Sequence, residues 1–160
     1  MKEVKIETTL QVFDNIKELP EALQALMSQA SEARQKAYAP YSKFSVGAAL
    51  LLDNGEVITG SNQENASYPS GLCAERTAIY YAGAKFPKAK FVKMAIIAGS
   101  QLHPTLTPIP PCGACRQAIA EYEVKQDTPI ELYFMGETGK VVRSNSLGNL
   151  LPLLFDKSAL

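Results

Sequence analysis

All three cysteines of the 160-residue chain fall in two short clusters, Cys73-Ala74-Glu75-Arg76 and Pro111-Cys112-Gly113-Ala114-Cys115-Arg116. This arrangement constrains the fold more than any other feature. The composition around Cys73 and Cys112 predicts that a helix begins at each. A helix N-terminus carries partial positive charge, which lowers thiol pKa and favours the thiolate that binds metals. Two helix starts that deliver three thiolates to one point suit tetrahedral zinc. The Cys112-x-x-Cys115 pair alone also fits a redox dithiol, half of a structural zinc site, or coincidence. There is no fourth cysteine, and only His103 could close the site; a lone histidine in a proline-containing loop reads more simply as a solvated residue. The metal then keeps an open position, as catalytic zinc sites do.

Glu75 lies two residues beyond Cys73, near enough to exchange a proton with water at the metal without ligating it. The plainer reading is a first-turn glutamate favoured by the helix dipole; three nearby thiolates favour the catalytic one. Three thiolates outweigh the charge of one Zn²⁺, so a cation hydrogen-bonded to sulfur would support the metal as a Lewis acid. Arg76 is adjacent and Arg116 is a second candidate, although either could form an ordinary surface ion pair.

Periodicity supplies the frame. Val4, Ile6, Thr8, Leu10 and Val12 alternate with polar residues, which predicts a short strand with one face covered. A helix is expected from Pro20 to about Ala37, with Leu23, Leu26, Met27, Ala30, Ala33 and Ala37 in one stripe. Strands at Ser45–Leu52 and Val57–Ser61 flank Asp53-Asn54-Gly55, a hairpin signal. Helices are expected from Cys73 to Ala84 and from Cys112 to about Tyr122. Further strands are expected at Phe91–Ala98, Ile130–Met135 and Val141–Ser144, with a short helix near Leu147; Gly99–Pro111 reads as loop. The order implies one α/β domain, a mixed sheet with helices on its faces.

Composition narrows the partners. Sixteen Lys+Arg balance sixteen Asp+Glu, which argues against nucleic acid or an anionic membrane as the main partner. No stretch approaches the roughly 20 apolar residues of a membrane span, the N-terminus lacks a signal-peptide core, and an odd cysteine count is awkward for a secreted disulfide framework. A cytoplasmic protein with reduced thiols is expected.

The segments Cys73-Ala74-Glu75-Arg76-Thr77-Ala78-Ile79 and Pro111-Cys112-Gly113-Ala114-Cys115-Arg116-Gln117 closely resemble those of the small three-cysteine cytidine deaminases. The resemblance extends to Ala39-Pro40-Tyr41-Ser42-Lys43-Phe44-Ser45-Val46-Gly47-Ala48-Ala49-Leu50, to Asn62-Gln63-Glu64-Asn65-Ala66, and to Leu150-Leu151-Pro152 followed by Phe155. It implies a three-layer α/β/α fold with a five-stranded mixed sheet, assembled as a homotetramer. It implies one Zn²⁺ per chain held by Cys73, Cys112 and Cys115, Glu75 as proton shuttle, and Arg76 compensating the thiolate charge. Phe44 is implied at the pyrimidine, Asn62 and Glu64 at the ribose hydroxyls, Ala74 among the substrate-binding residues, and Phe155 in the active site of a neighbouring subunit. Asn62 and Glu64, spaced by two near a strand end, can both point to one side. The implied reaction is hydrolytic deamination of cytidine or 2′-deoxycytidine. Residues 20–160 would form the catalytic domain and 1–19 an N-terminal extension, with room for an extra strand. Pro110 stands where a serine is common, and the loop from His103 to Pro110 is longer and richer in proline than the family pattern. A blasticidin-type deaminase is disfavoured by the Asn62-x-Glu64 pair. A nucleic-acid-editing deaminase is disfavoured by Cys73, where that class carries a histidine. A structural zinc or redox protein would need a closed site or a Cys112–Cys115 disulfide.

Overall fold

The computed structural model describes residues 1–160. Its strands are β1 (Gln11–Phe13), β2 (Phe44–Leu52), β3 (Val57–Ser61), β4 (Phe91–Ser100), β5 (Glu131–Met135) and β6 (Val141–Ser144). They form one mixed sheet in the order β1-β6-β5-β4-β2-β3. The helices are α1 (Glu21–Arg34), α2 (Ala74–Lys85) and α3 (Gly113–Gln126). Only β4 and β5 run parallel, and α3 supplies the crossover that a parallel pair requires.

Strand alternation sorts side chains between two cores. Leu50, Leu52, Met94, Ile96, Leu132 and Phe134 face α2 and α3, where they meet Ile79 and Ile119. Ala49, Ala95, Ile97, Tyr133 and Met135 face the other way, towards Leu26, Met27 and Ala30 of α1. β4 is buried on both faces, which explains its almost continuous apolar run. The β2–β3 hairpin closes where expected: Gly55 has φ +85°, and the Asn54 side chain accepts from the Glu56 N–H.

The sheet has six strands rather than five, because β1 joins the free edge of β6. The strand expected over Val4–Val12 is restricted to Gln11–Phe13. β6 is only four residues long, so the ladder ends at the Gln11–Arg143 pair. Residues 1–10 are exposed, held by one side-chain bond from Thr8 to the Asn149 carbonyl (2.7 Å). Phe13, Ile16 and Leu19 pack into the core beneath α1.

Helix and strand ends also differ from expectation. Pro20 caps α1 rather than opening it, and the helix stops at Arg34, three residues short of Ala37. The N–H groups of Lys36 and Ala37 bond carbonyls three residues back, so the last turn tightens. β4 runs on to Ser100, where it pairs with Phe44. α3 runs past Tyr122 to Gln126, whose side-chain amide bonds both backbone groups of Phe91.

Close backbone approach seats α2 on the sheet. A Cβ on Gly60 would collide with the Ala74 carbonyl and the Ala78 amide, both in the first turns of α2. Gly60→Ala is therefore expected to cost about 2 kcal/mol and lower Tm by about 5 °C in a thermal melt; an unchanged Tm would show that α2 does not need this approach.

Candidate metal centre and adjoining cavity

Cys73 and Cys112 are the N-cap residues of α2 and α3, in extended conformation. Neither cap makes the side-chain hydrogen bond that Ser, Thr, Asp or Asn would make there, so each sulfur remains available beside a helix N-terminus. Cys115 lies one turn into α3, on the same face as Cys112. Backbone bonds hold the caps: the Thr77 N–H donates to the Cys73 carbonyl (3.0 Å) and the Arg116 N–H to the Cys112 carbonyl (2.9 Å).

The three sulfurs lie within 4.8 Å of one another, and Cys73 Sγ is 3.9 Å from Cys112 Sγ. Tetrahedral coordination at a Zn–S length of about 2.3 Å sets neighbouring sulfurs about 3.8 Å apart, so the spacing fits zinc. It is far too long for a disulfide, and all three cysteines are free. His103 is exposed and outside the cluster.

The electrostatics ask for a cation. A hydrogen bond from the Cys115 thiol holds Cys73 down to about 5 against the opposing effect of burial, and Arg76 and Cys112 add to the lowering. Cys115 is pushed strongly upward, first by its bond to Cys73, then by burial and by the Glu75 charge. Arg76 Nη2 lies 3.7 Å from Cys73 Sγ, and Arg76 Nε is buried with no partner. Cys73 raises the Arg76 pKa, keeping that guanidinium charged. Arg116, the other cation considered for the sulfurs, does not touch them. It bonds the carbonyls of Pro111 (2.9 Å) and Leu150 (2.8 Å) instead.

Glu75 is only 4% exposed. Burial pushes its carboxyl up to about 6, against the pull of its own backbone N–H, and the Cys73 charge adds to the rise. A group near that value can both accept and donate a proton close to neutrality.

Beside the sulfurs opens a cavity of about 390 Å³, lined by Asn62, Glu64, Cys73 and Arg76, and by Tyr41 and Tyr68. Asn62 lies at the end of β3, and its side chain extends the ladder to β2, accepting from the Val46 N–H (2.8 Å) and donating to the Phe44 carbonyl (2.9 Å). The Glu64 carboxylate accepts from the backbone N–H groups of Tyr41 and Ser42 and from the Ser42 hydroxyl. Those bonds, the hydroxyl first, hold its pKa below the usual value. Phe44 is half-buried at the start of β2, after Lys43 in the left-handed region (φ 54°). Ala74 is buried at the start of α2. Phe44, Ala74, Glu75, Cys112, Cys115 and Phe155 are not among the residues lining the cavity; Phe155 is 62% exposed, its carbonyl held by Gln117. Tyr41 and Tyr68, whose rings lie 6.1 Å apart, line the cavity although nothing in the sequence distinguishes them from other loop aromatics. The only signal was the Pro40-Tyr41-Ser42 segment and one aromatic in the loop after Asn62.

The pattern of the cytidine and deoxycytidylate deaminase zinc-binding region matches residues 20–128. The chain belongs to this deaminase family. It is 42% identical over 132 residues to the cytidine deaminase of Halalkalibacterium halodurans, spanning 82% of this chain and 92% of that protein. It is 37% identical over 138 residues to the cytidine deaminase of Sporosarcina psychrophila, spanning 86% and 94%. The crystal structure of cytidine deaminase from Burkholderia pseudomallei superposes with a TM-score of 0.71 at 40% identity, covering 86% of this chain and all of that one. Family membership and the sulfur cluster together assign one Zn²⁺ to this deaminase.

Because metal binds the folded cluster, stripping it should destabilise the protein. With zinc at about 1,000 times its Kd, linkage supplies about 4 kcal/mol. Chelation is expected to lower Tm by several degrees and zinc re-addition to restore it; a Tm indifferent to chelation would mean that the cluster holds no metal.

Proposed function

We propose that the chain hydrolyses cytidine and 2′-deoxycytidine to uridine and 2′-deoxyuridine with release of ammonia, a reaction of pyrimidine salvage. The observation that carries this reading is a buried carboxyl, Glu75, two residues beyond Cys73, one of three converging thiols, which itself lines a cavity with Asn62 and Glu64. The cytidine deaminases to which the chain is similar support the substrate.

Cys73, Cys112 and Cys115 hold the zinc, which when bound supplies Lewis-acid activation of a water molecule at neutral pH. Glu75 takes the proton released from that water. As the water oxygen bonds to carbon 4, Glu75 delivers that proton to the adjacent ring nitrogen. It then takes the proton of the added hydroxyl and passes it to the exocyclic nitrogen, which leaves as ammonia when its bond to carbon 4 breaks and the carbonyl forms. One carboxyl thus acts as base and acid in turn. Its raised pKa and its burial away from bulk water suit that exchange. Arg76 offsets the thiolate charge.

Phe44 faces the pyrimidine, and Ala74 is a further substrate contact. Asn62 and Glu64 bind the ribose hydroxyls, the carboxylate as acceptor and the amide through its remaining N–H and lone pair. Phe155 reaches the active site of a neighbouring subunit. A homotetramer is supported by the exposed side chains of Tyr80, Tyr81, Leu153 and Phe155, which an interface would cover. Residues 20–160 form the catalytic domain and 1–19 an extension carrying β1. A balanced charge and the absence of any helix long and apolar enough to cross a membrane accord with a cytoplasmic enzyme that acts on free nucleosides.

The test is purified, zinc-loaded protein incubated with each nucleoside while cytosine absorbance and ammonia are followed. Turnover of both is expected; zinc-loaded protein that turns over neither would refute the reading. Glu75→Gln is expected to lower kcat about 10³-fold or more with zinc content unchanged; turnover near that of the parent would remove Glu75 from the mechanism.

A further inference from the structure

The helix that carries Cys112 and Cys115 also organises the C-terminal segment. Glu123 of α3 accepts from the N–H groups of Ile130 (2.7 Å) and Leu147 (2.9 Å) and from the Ser146 hydroxyl (2.8 Å). Seven residues earlier, two turns along the same face, Arg116 donates through Nη1 to the Leu150 carbonyl (2.8 Å). One residue on, Gln117 Nε2 donates to the Phe155 carbonyl (2.8 Å). The segment from Ser146 to Phe155 thus runs back along α3 towards its metal-bearing end, as a strap whose Leu150 and Leu154 pack on the core.

Arg116 does more than hold the strap. Its Nε donates to the Pro111 carbonyl (2.9 Å), and its backbone N–H donates to the Cys112 carbonyl. One residue therefore fixes two consecutive carbonyls, those of Pro111 and Cys112. The Pro111 and Leu150 carbonyls accept no backbone N–H, so the guanidinium is their hydrogen-bond partner within the chain. A planar, permanently charged fork can serve two carbonyls through separate nitrogens, whereas a lysine offers a single nitrogen on a flexible stem.

We propose that Arg116 is a positioning residue that clamps the loop entering the metal helix to the C-terminal strap, so that metal retention and the placement of Phe155 depend on one guanidinium. The contribution of Phe155 to substrate rests on the deaminase reading above; the clamp itself does not.

The test uses zinc-loaded Arg116→Lys, Arg116→Ala and Gln117→Ala beside the parent, with circular dichroism and Tm to verify folding. Zinc transfer to a chromogenic chelator and deuterium uptake by residues 150–156 are measured without substrate. Arg116→Lys is expected to release zinc about 10-fold faster, as supporting groups around metal ligands do when lost, and to raise uptake across the strap. Gln117→Ala is expected to raise uptake near Phe155 alone, with zinc release at the parent rate. With cytidine, Arg116→Lys should raise KM by a larger factor than it lowers kcat. Folded Arg116→Lys with parental zinc release, or faster release with an unmoved strap, overturns the proposal. So does Gln117→Ala that frees zinc as fast as Arg116→Lys. Should Arg116→Ala fail to fold, the lysine and glutamine variants still decide. A parent protein inert towards cytidine whose Arg116→Lys variant shows both substrate-free effects would defeat the deaminase reading while leaving the clamp standing.

Discussion

Two helix N-termini aimed at one point bring together partial positive charges that repel, and the negative charge of the cysteine sulfurs makes the approach favourable. The dependence is mutual. Cys73 becomes acidic because donors from Cys115 and Arg76 reach it, and Cys115 is pushed the other way, first because it is the donor in that bond and then by burial. A bound cation favours the ionised form of every sulfur that ligates it. The rest of the fold brings α2 and α3 to that meeting: Gly60 lets α2 sit on the sheet, and α3 bridges the parallel pair of β4 and β5.

Much of this was legible in the sequence where the signal was local. Cys73 and Cys112 mark helix starts because helix-forming residues run on from Ala74 and, past Gly113, from Ala114, and the Cys112-x-x-Cys115 spacing puts both sulfurs on one face. β4 was readable because burial on both faces requires an unbroken apolar run. The hairpin was readable because Asn54-Gly55 satisfies its turn chemistry.

What escaped was set by contacts between distant residues. The alternation over Val4–Val12 is real, but only partner length decides how much of it pairs, and β6 offers four residues. α3 continues past Tyr122 because Gln126 meets Phe91, thirty-five residues away in the chain. Arg116 looked like a partner for sulfur because it adjoins Cys115; its side chain turns to Pro111 and Leu150 instead. Tyr41 and Tyr68 could not be identified as cavity walls, since an aromatic in a loop reads the same whether it faces solvent or a pocket.

The hydrogen bonds around the cavity divide its walls into fixed and adjustable positions. Asn62 and Glu64 complete the backbone bonding of Tyr41, Ser42, Phe44 and Val46 while facing the cavity, so altering either for a new ligand also disturbs the strand edge. The rings of Tyr41 and Tyr68 have no such duty to the framework. Natural divergence or laboratory evolution of substrate range therefore has its freest path through those two rings, where the shape of the pocket can change while the scaffold and the sulfur cluster stay intact.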